Sequence, residues 1–270
     1  MYLPYLIVIA PLAEYLQIAD FQSPKDRMFT FLNKTKNLTN LSWLDTDIHS
    51  HLLPGVDDGS PDLATSLTYL SRLQALELHR FYITPHIHTE LYPNTPDTIQ
   101  YVLEQLRQMA PTGTKLYAAA EYMVDDAFGT RFGNRDRLLT LPGNRVLIEM
   151  SYIAESANID QVIFELQVHG YKPILAHPER YAFYHGRPHR YEQLKDLGCL
   201  FQMNLLSATG YYNPGVKKAA QHLLKRGMVD FVGTDLHHHK HLMAIEKFVL
   251  SGDAHRAFKK NPIKNSNLLQ

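Results

Sequence analysis

Seven short apolar runs, each followed by polar punctuation and then a stretch with helical periodicity, limit what this chain can fold into. The runs are Leu44–His49, Arg80–Thr84, Lys115–Ala120, Arg145–Met150, Lys172–Ala176, Leu200–Leu205 and Val229–Gly233. Between most of them apolar residues recur at helical spacing: Leu63, Leu67, Leu70, Leu73 and Leu76; Ile99, Val102, Leu103 and Leu106; Ile159, Val162, Ile163 and Leu166; Val216, Ala219, Ala220 and Leu223. Ser60-Pro61, Thr95-Pro96 and Asn213-Pro214 mark helix starts, a capping side chain followed by proline at the first helical position. Strands alternating with helices give an α/β fold with a parallel sheet. Runs this short and apolar, with helices on both sides, suit the wall of a barrel. The expectation is one α/β domain over residues 43–258, with no internal repeat and no Gly/Ser-rich linker. Residues 1–42 read as an N-terminal extension. Its apolar stretch Tyr2 to Leu12 lacks the basic flank of a signal peptide. Residues 1–27 read either as a mis-assigned start or as a loosely attached extension. Residues 259–270 read as a polar tail expected to fray. No apolar run reaches the length of about 18 residues that spans a bilayer, so a cytoplasmic protein without stable membrane insertion is expected.

The chemistry lies where these runs end. Run one ends in Asp47-Ile48-His49-Ser50-His51, run two in Thr84-Pro85-His86 and run three in Ala120-Glu121. Run four contains Glu149, run five leads into His177-Pro178-Glu179-Arg180, and run seven into Asp235-Leu236-His237. Only run six, ending near Asn204, lacks an obvious ligand. In parallel barrels the C-terminal strand ends converge on one face, where active sites sit. His49 and His51, two apart on a strand, point to the same side. Taken singly, each residue has an ordinary explanation. A histidine after a strand is usually a hydrogen-bonded loop residue, Glu149 can belong to a buried ion pair, and Asp57-Asp58-Gly59 is a common turn signal. Taken together they are hard to attribute to turns, because a carboxylate buried at the end of an apolar strand is costly unless paired or metal-bound. Mixed His, Asp and Glu donors suit Mn, Fe or Zn. Several carboxylates also lower the cost of holding two or three cations together.

Composition narrows the chemistry further. Histidine supplies 15 of 270 residues, Lys+Arg and Asp+Glu balance at 27 each, and Cys199 is the one cysteine. The zero balance argues against a broad basic face for nucleic acid. One cysteine excludes a disulfide framework and a Cys-rich zinc module. It also excludes thiol-based phosphatase chemistry, which would require an arginine where Leu205 stands. Neither a P-loop nor a nucleophile elbow is present. His79, His169, His222 and His255 fall on expected helices and are not read as ligands. His88, His238, His239 and His241 stay open.

The segments DIHSHLLPGVDDGS (Asp47–Ser60), TPH (Thr84–His86), AEY (Ala120–Tyr122), IEMS (Ile148–Ser151), AHPERY (Ala176–Tyr181) and TDLH (Thr234–His237) occur in this order. Together they resemble the PHP superfamily, named for polymerases and histidinol phosphatases. The nearest likeness within it is the bacterial protein-tyrosine-phosphatase branch of capsule and exopolysaccharide systems. The resemblance runs from about Trp43 to about Phe248. It implies a PHP-type distorted TIM-like barrel of about seven parallel strands with surrounding helices. It also implies divalent metal ions, three in number, with Mn favoured and Fe or Zn as alternatives. By position, His49, His51, Glu121 and Asp235 would hold one ion. Glu121, Glu149 and His177 would hold a second, and Asp58, His86 and His237 a third. Asp47 would orient an imidazole and Arg180 would contact substrate phosphate. Family members often carry a further arginine after the last motif. Here LHHHKHLMAI has none, so Lys240, or one of His238, His239 and His241, would take that place.

The resemblance further implies hydrolysis of phosphotyrosine by water activated between ions. The implied partner is a phosphotyrosine protein, the tail of a bacterial polysaccharide-synthesis tyrosine kinase. Tyr92, Tyr122, Tyr181, Tyr211 and Tyr212 are candidates for an aromatic entrance. Two alternatives keep the same ligand set: a phosphatase of histidinol phosphate or another small phosphomonoester, and a non-catalytic metal-binding scaffold.

Overall fold

A computed structural model describes residues 37–125, 128–129 and 137–268. The expected extension therefore lies mostly outside the described residues. The strands are β1 (Thr46–Asp47), β2 (Arg80–Ile83), β3 (His86–Ile87), β4 (Lys115–Ala118), β5 (Glu121–Met123), β6 (Arg145–Glu149), β7 (Lys172–Ala176), β8 (Leu200–Asn204) and β9 (Phe231–Gly233). The helices are α1 (Leu63–Gln74), α2 (Pro96–Met109), α3 (Ile159–Val168), α4 (Pro188–Asp196), α5 (Pro214–Lys225), α6 (His239–Leu250) and α7 (Asp253–Phe258). All strand pairs are parallel, in the orders β1-β2-β4 and β3-β5-β6-β7-β8-β9. This is the expected barrel-like α/β fold, with its sheet curled and broken. Runs two and three are each followed at once by a second short strand: β2 and β4 lie in the sheet of β1, and β3 and β5 in the sheet of β6. Pro85 explains the step, since it has no N–H to continue a ladder. The Pro85 carbonyl still accepts from Glu121 N at 3.1 Å, and Ile83 O from Ala119 N at 2.9 Å.

The helices form on the apolar stripes read from the sequence. Ile99, Leu103 and Leu106 are buried on α2; Ile159, Val162, Ile163 and Leu166 on α3; Val216, Ala219, Ala220 and Leu223 on α5. Thr95 and Asn213 cap α2 and α5 ahead of their prolines, as expected. Helix α1 differs, because Asp62 rather than Ser60 is its cap and accepts from Thr65 N at 2.7 Å. The strands divide the core by alternation. Val146, Ile148, Leu175, Phe201 and Val232 join the helices in one cluster. Ile48, Tyr82, Leu147, Ile174 and Phe231 pack into a second, joined by Leu268. No helix among the described residues is long and apolar enough to cross a membrane.

No ladder joins β1 to β9; two side chains bridge them instead. The Asp47 carboxylate accepts from Thr234 N at 3.0 Å, from Thr234 Oγ1 at 2.5 Å and from His49 N at 3.3 Å. Burial pushes its pKa up to about 6 despite these bonds. Asp47 thus closes a backbone seam and bonds no imidazole, which corrects the expected orienting role. Asn265 bridges the same strands, donating to Thr46 O at 2.8 Å and Val232 O at 2.7 Å while accepting from Val232 N at 3.0 Å. The polar segment after Phe258 is therefore packed rather than frayed up to Leu268, whose side chain is buried. Asn265→Ala is expected to lower stability by about 2 kcal/mol in urea unfolding, because it leaves buried backbone groups unpaired. A change below about 0.5 kcal/mol would mean that the seam is held elsewhere.

Candidate metal centre

The C-terminal strand ends bring all nine ligand candidates to one place. His49 and His51 point Nε2 toward each other at 3.2 Å. Asp235 Oδ1 lies 3.5 Å from both nitrogens, and Glu121 Oε2 lies 3.2 and 3.4 Å from them. The other Glu121 oxygen, Oε1, faces His177 Nε2 at 3.1 Å. His86 presents Nδ1 to Glu149 Oε1 at 2.8 Å and to Glu121 Oε2 at 3.2 Å. Asp58 Oδ1 lies 3.4 Å from His86 Nε2 and 3.6 Å from His237 Nε2. Four groups of ligand-capable atoms, each within 4.8 Å of one another, result: His51, Asp58, His86 and His237; His49, Glu121 and His177; His49, His51 and Asp235; His86, Glu121 and Glu149. These depart from the partition implied by resemblance, and His51 also joins Asp58, His86 and His237. Glu149 stands with His86, and His177 stands with His49.

The backbone turns sharply to place two of these residues. His177 has φ 34° and Asp235 φ 50°, left-handed conformations that cost a non-glycine residue about 1–3 kcal/mol. His177 directly follows β7 and Asp235 comes two residues after β9, and each turns its side chain into the cluster. Gly233 allows a close approach there, since a Cβ would come within 2.5 Å of His49 Cβ.

Neighbouring groups set the tautomers. Gln202 Oε1 lies 2.7 Å from His49 Nδ1, and Asp57 Oδ2 lies 2.8 Å from His51 Nδ1. Both oxygens can only accept, so each Nδ1 carries a proton and Nε2 is left as the atom that would ligate a metal. Asp57 also accepts from Gly59 N and His86 N, tying its loop to β3. Burial disfavours charge on His51, but Asp57 outweighs it and the imidazole is pushed up to about 10. Burial likewise opposes ionisation of Glu121, yet the imidazoles of His49 and His86 hold its carboxyl well below the usual range. A field that draws protons this strongly also draws cations.

Two atoms test the fit of metal ions. Glu121 Oε2 and Asp235 Oδ1 are buried and make no hydrogen bond. Unpaired acceptors of this kind normally cost several kcal/mol. Both are ringed by imidazole nitrogens of His49, His51, His86 and His237 within 3.5 Å. The donor set, nitrogen and carboxylate oxygen without thiolate, fits divalent ions.

The cavity above these groups measures about 310 Å³ and is lined also by Tyr152, Arg180, Tyr212, His238 and His241. Arg180 is the only Arg or Lys among its described lining residues. Its Nη1 donates to Asp235 Oδ2 at 2.8 Å, and its guanidinium carbon lies 4.7 Å from the Tyr152 ring centre and 4.4 Å from that of Tyr212. Lys240 is exposed on the first turn of α6, outside the cavity lining. The geometry corrects its assignment and leaves His238 and His241 on that wall. His239 approaches Arg72 instead, and His88 accepts from Glu90 N and Leu91 N within a turn. His79 lies in the connector before β2 and His169 caps the end of α3, rather than within helices.

Of the five tyrosines considered, Tyr122 and Tyr181 are buried, with their hydroxyls accepting from Leu139 N and Met150 N. Tyr92 stacks on His86 and Tyr211 packs against His241. The sequence reading missed Tyr152, whose hydroxyl is 3.4 Å from His177 Nε2. It also missed Gln202, a polar residue within an apolar run and two before Asn204, a pattern that signals a buried polar pair.

Residues 45–245 match the family of capsular polysaccharide synthesis proteins CpsB/CapC. The tyrosine-protein phosphatase YwqE of Bacillus subtilis is 26% identical over 197 residues, 72% of this chain and 78% of the relative. The tyrosine-protein phosphatase CpsB of Streptococcus pneumoniae is 27% identical over 201 residues, 71% of this chain and 82% of the relative. A solved structure, from a report of YwqE and CpsB as unique metal-dependent tyrosine phosphatases, shares the fold. Its TM-score is 0.68 at 24% identity, covering 81% of this chain and 96% of that one.

Cys199 is buried and stands outside the cavity lining, and burial pushes its thiol up to about 12. At pH 8 the thiolate is then about one part in ten thousand. Iodoacetamide is expected to label Cys199 only as the protein unfolds, and Cys199→Ala is expected to keep full activity toward an aryl phosphate. Rapid labelling of the folded protein with loss of activity would contradict this.

Proposed function

The chain belongs to the capsular polysaccharide synthesis CpsB/CapC family, and on that premise we propose that it is a metal-dependent phosphatase of phosphotyrosine in proteins. One observation carries the reading. Nine ligand-capable side chains converge around two buried carboxylate oxygens that lack hydrogen bonds, with the Arg180 guanidinium beside them. The activity named for its relatives supports the same reading.

We read His49, His51, Asp58, His86, Glu121, Glu149, His177, Asp235 and His237 as ligands of divalent ions. Three ions are proposed, with Mn favoured and Fe or Zn as alternatives. Glu121, whose two oxygens face different groups, is the bridging ligand. Ions held there lower the pKa of bound water toward neutrality and stabilise charge on phosphoryl oxygens. This chain's own residues supply the rest. Gln202 and Asp57 fix the imidazole tautomers. Arg180 binds the non-bridging phosphoryl oxygens as negative charge builds, and its bond to Asp235 sets its distance from the ligand cluster. A phenol, with a pKa of about 10, leaves without strong protonation, and no side chain is assigned as a general acid. The substrate we propose is a phosphotyrosine segment of a cytoplasmic tyrosine-kinase tail in polysaccharide synthesis.

Kinetics on a phosphotyrosine peptide, with histidinol phosphate in parallel, test this. Chelation is expected to abolish activity and Mn to restore it; full turnover by metal-free protein would refute the scheme. Preference for histidinol phosphate would move the substrate class while keeping the site. Glu121→Ala is expected to release two ions and lower kcat/KM by about a thousandfold or more, on the order of 4 kcal/mol of transition-state stabilisation. Arg180→Ala is expected to raise KM with metal content intact. Loss of metal from Arg180→Ala would assign that residue to the scaffold.

A further inference from the structure

We propose that Tyr152 and Tyr212 are positioning residues that clamp the Arg180 guanidinium between their rings, aiming its free N–H edge at the phosphoryl group. The inference rests on the phosphatase reading above and adds how Arg180, the one Arg or Lys among the described lining residues, is held.

An arginine carries five N–H donors on a flexible stem and loses rotamer freedom when it binds an anion. Arg180 is constrained beforehand. Asp235 Oδ2 takes one donor at 2.8 Å. Two rings from separate segments, one after β6 and one before α5, stand 4.7 and 4.4 Å from the guanidinium carbon. Both distances are within cation–π range. A guanidinium tied along one edge and covered by rings keeps its remaining donors for the cavity, whose lining includes Arg180, Tyr152 and Tyr212.

The rings are anchored to the ligand cluster itself. Tyr212 Oη accepts from Asn204 Nδ2 at 3.2 Å, and the same amide donates to Asp235 Oδ2 at 2.5 Å. Tyr152 stacks on His177 and lies tilted against Tyr181, each ring centre 5.7 Å away. The guanidinium is therefore positioned relative to the residues that hold the metal ions. Space-filling alone would give the rings no reason to couple to Arg180, and that difference can be measured.

The experiment uses the full-length, Mn-loaded protein. Binding of inorganic phosphate is measured by calorimetry, with KM for an aryl phosphate, metal content and melting temperature alongside. Tyr152→Phe and Tyr212→Phe are expected to keep the phosphate Kd within about twofold, because the ring remains. Tyr152→Leu and Tyr212→Leu are expected to weaken binding and raise KM about three- to tenfold, the range of a partly desolvated cation–π contact. In an Arg180→Ala background the same leucine substitutions should change Kd by less than about twofold, as a double-mutant cycle requires. The clamp is refuted if the leucine effects persist without Arg180, if phenylalanine costs as much as leucine, or if leucine costs nothing. Should Tyr212→Leu fail to fold because Asn204 loses a partner, Tyr152→Leu with Arg180→Ala decides the matter. A wild-type protein inactive on aryl phosphate would overturn the phosphatase reading separately, since the phosphate-binding cycle does not depend on turnover.

Discussion

Glu121 Oε2 is buried 3.2 Å from His49 Nε2, 3.2 Å from His86 Nδ1 and 3.4 Å from His51 Nε2, with no hydrogen bond. An anion in that position is tolerable only beside positive charge, and much of the architecture serves to supply it. Strand register is the first requirement. His86 lies directly opposite Glu121 across the β3–β5 pair, and Glu149 lies opposite Met123 across β5–β6. A slip of one residue would turn Glu121 to the other face of the sheet. The left-handed backbones of His177 and Asp235 are the second requirement. Their strain is offset by whatever the side chains gain in the cluster, so a cation there stabilises the local fold as well as the chemistry.

Holding such a cluster needs a rigid surround, and run six provides it. Gln202 and Asn204, two apart on β8, bond His49 and Asp235 respectively. Glu179 accepts from Asn204 N at 3.0 Å and from Ser207 Oγ at 2.6 Å, so the acid of the AHPER motif braces the strand end rather than facing the cavity. The seam between β1 and β9 matters for the same reason. Asp47 and Asn265 keep the segments bearing His49 and Asp235 side by side, where His49 O accepts from Asp235 N at 2.8 Å.

How far the sequence could be read follows from which forces were local. Apolar runs report burial directly, so the strands from Arg145 to Gly233 were legible to within about two residues, whereas the helix Pro188–Asp196 carries no clear apolar stripe and was not read. Placement of the ligand candidates followed, because every parallel strand delivers its C-terminal end to one face. What required the tertiary structure was the pairing among them. Asp47 was read as the residue that orients an imidazole and Asp57 only as part of a turn, and only the fold of the Asp57–Gly59 turn shows that Asp57 reaches His51. Lys240 was attractive for its charge, yet His238 caps α6 by accepting from His241 N, and this orientation leaves Lys240 exposed. The tail was misread because polarity suggested solvent, whereas Asn265 is polar in order to pair with backbone groups of two strands.

Charge links the substrate to the proposed cofactor. Four of the nine ligand candidates are carboxylates: Asp58, Glu121, Glu149 and Asp235. The one Arg or Lys among the described lining residues, Arg180, is already paired with Asp235. A phosphate monoester carries up to about two negative charges near neutral pH, and such a cavity would repel it. Protonated imidazoles balance the carboxylates in part, as Asp57 does by favouring charge on His51, but Gln202 and Asp57 engage Nδ1 of His49 and His51 and leave Nε2 facing the cluster, the atom at which a metal ion would replace a proton. About six positive charges from three divalent ions would exceed the four carboxylates and leave a surplus beside Arg180 for a dianion. The proposed ions and the proposed phosphoryl substrate are thus one electrostatic hypothesis: an anionic ligand set becomes a receptor for an anion only once it is loaded.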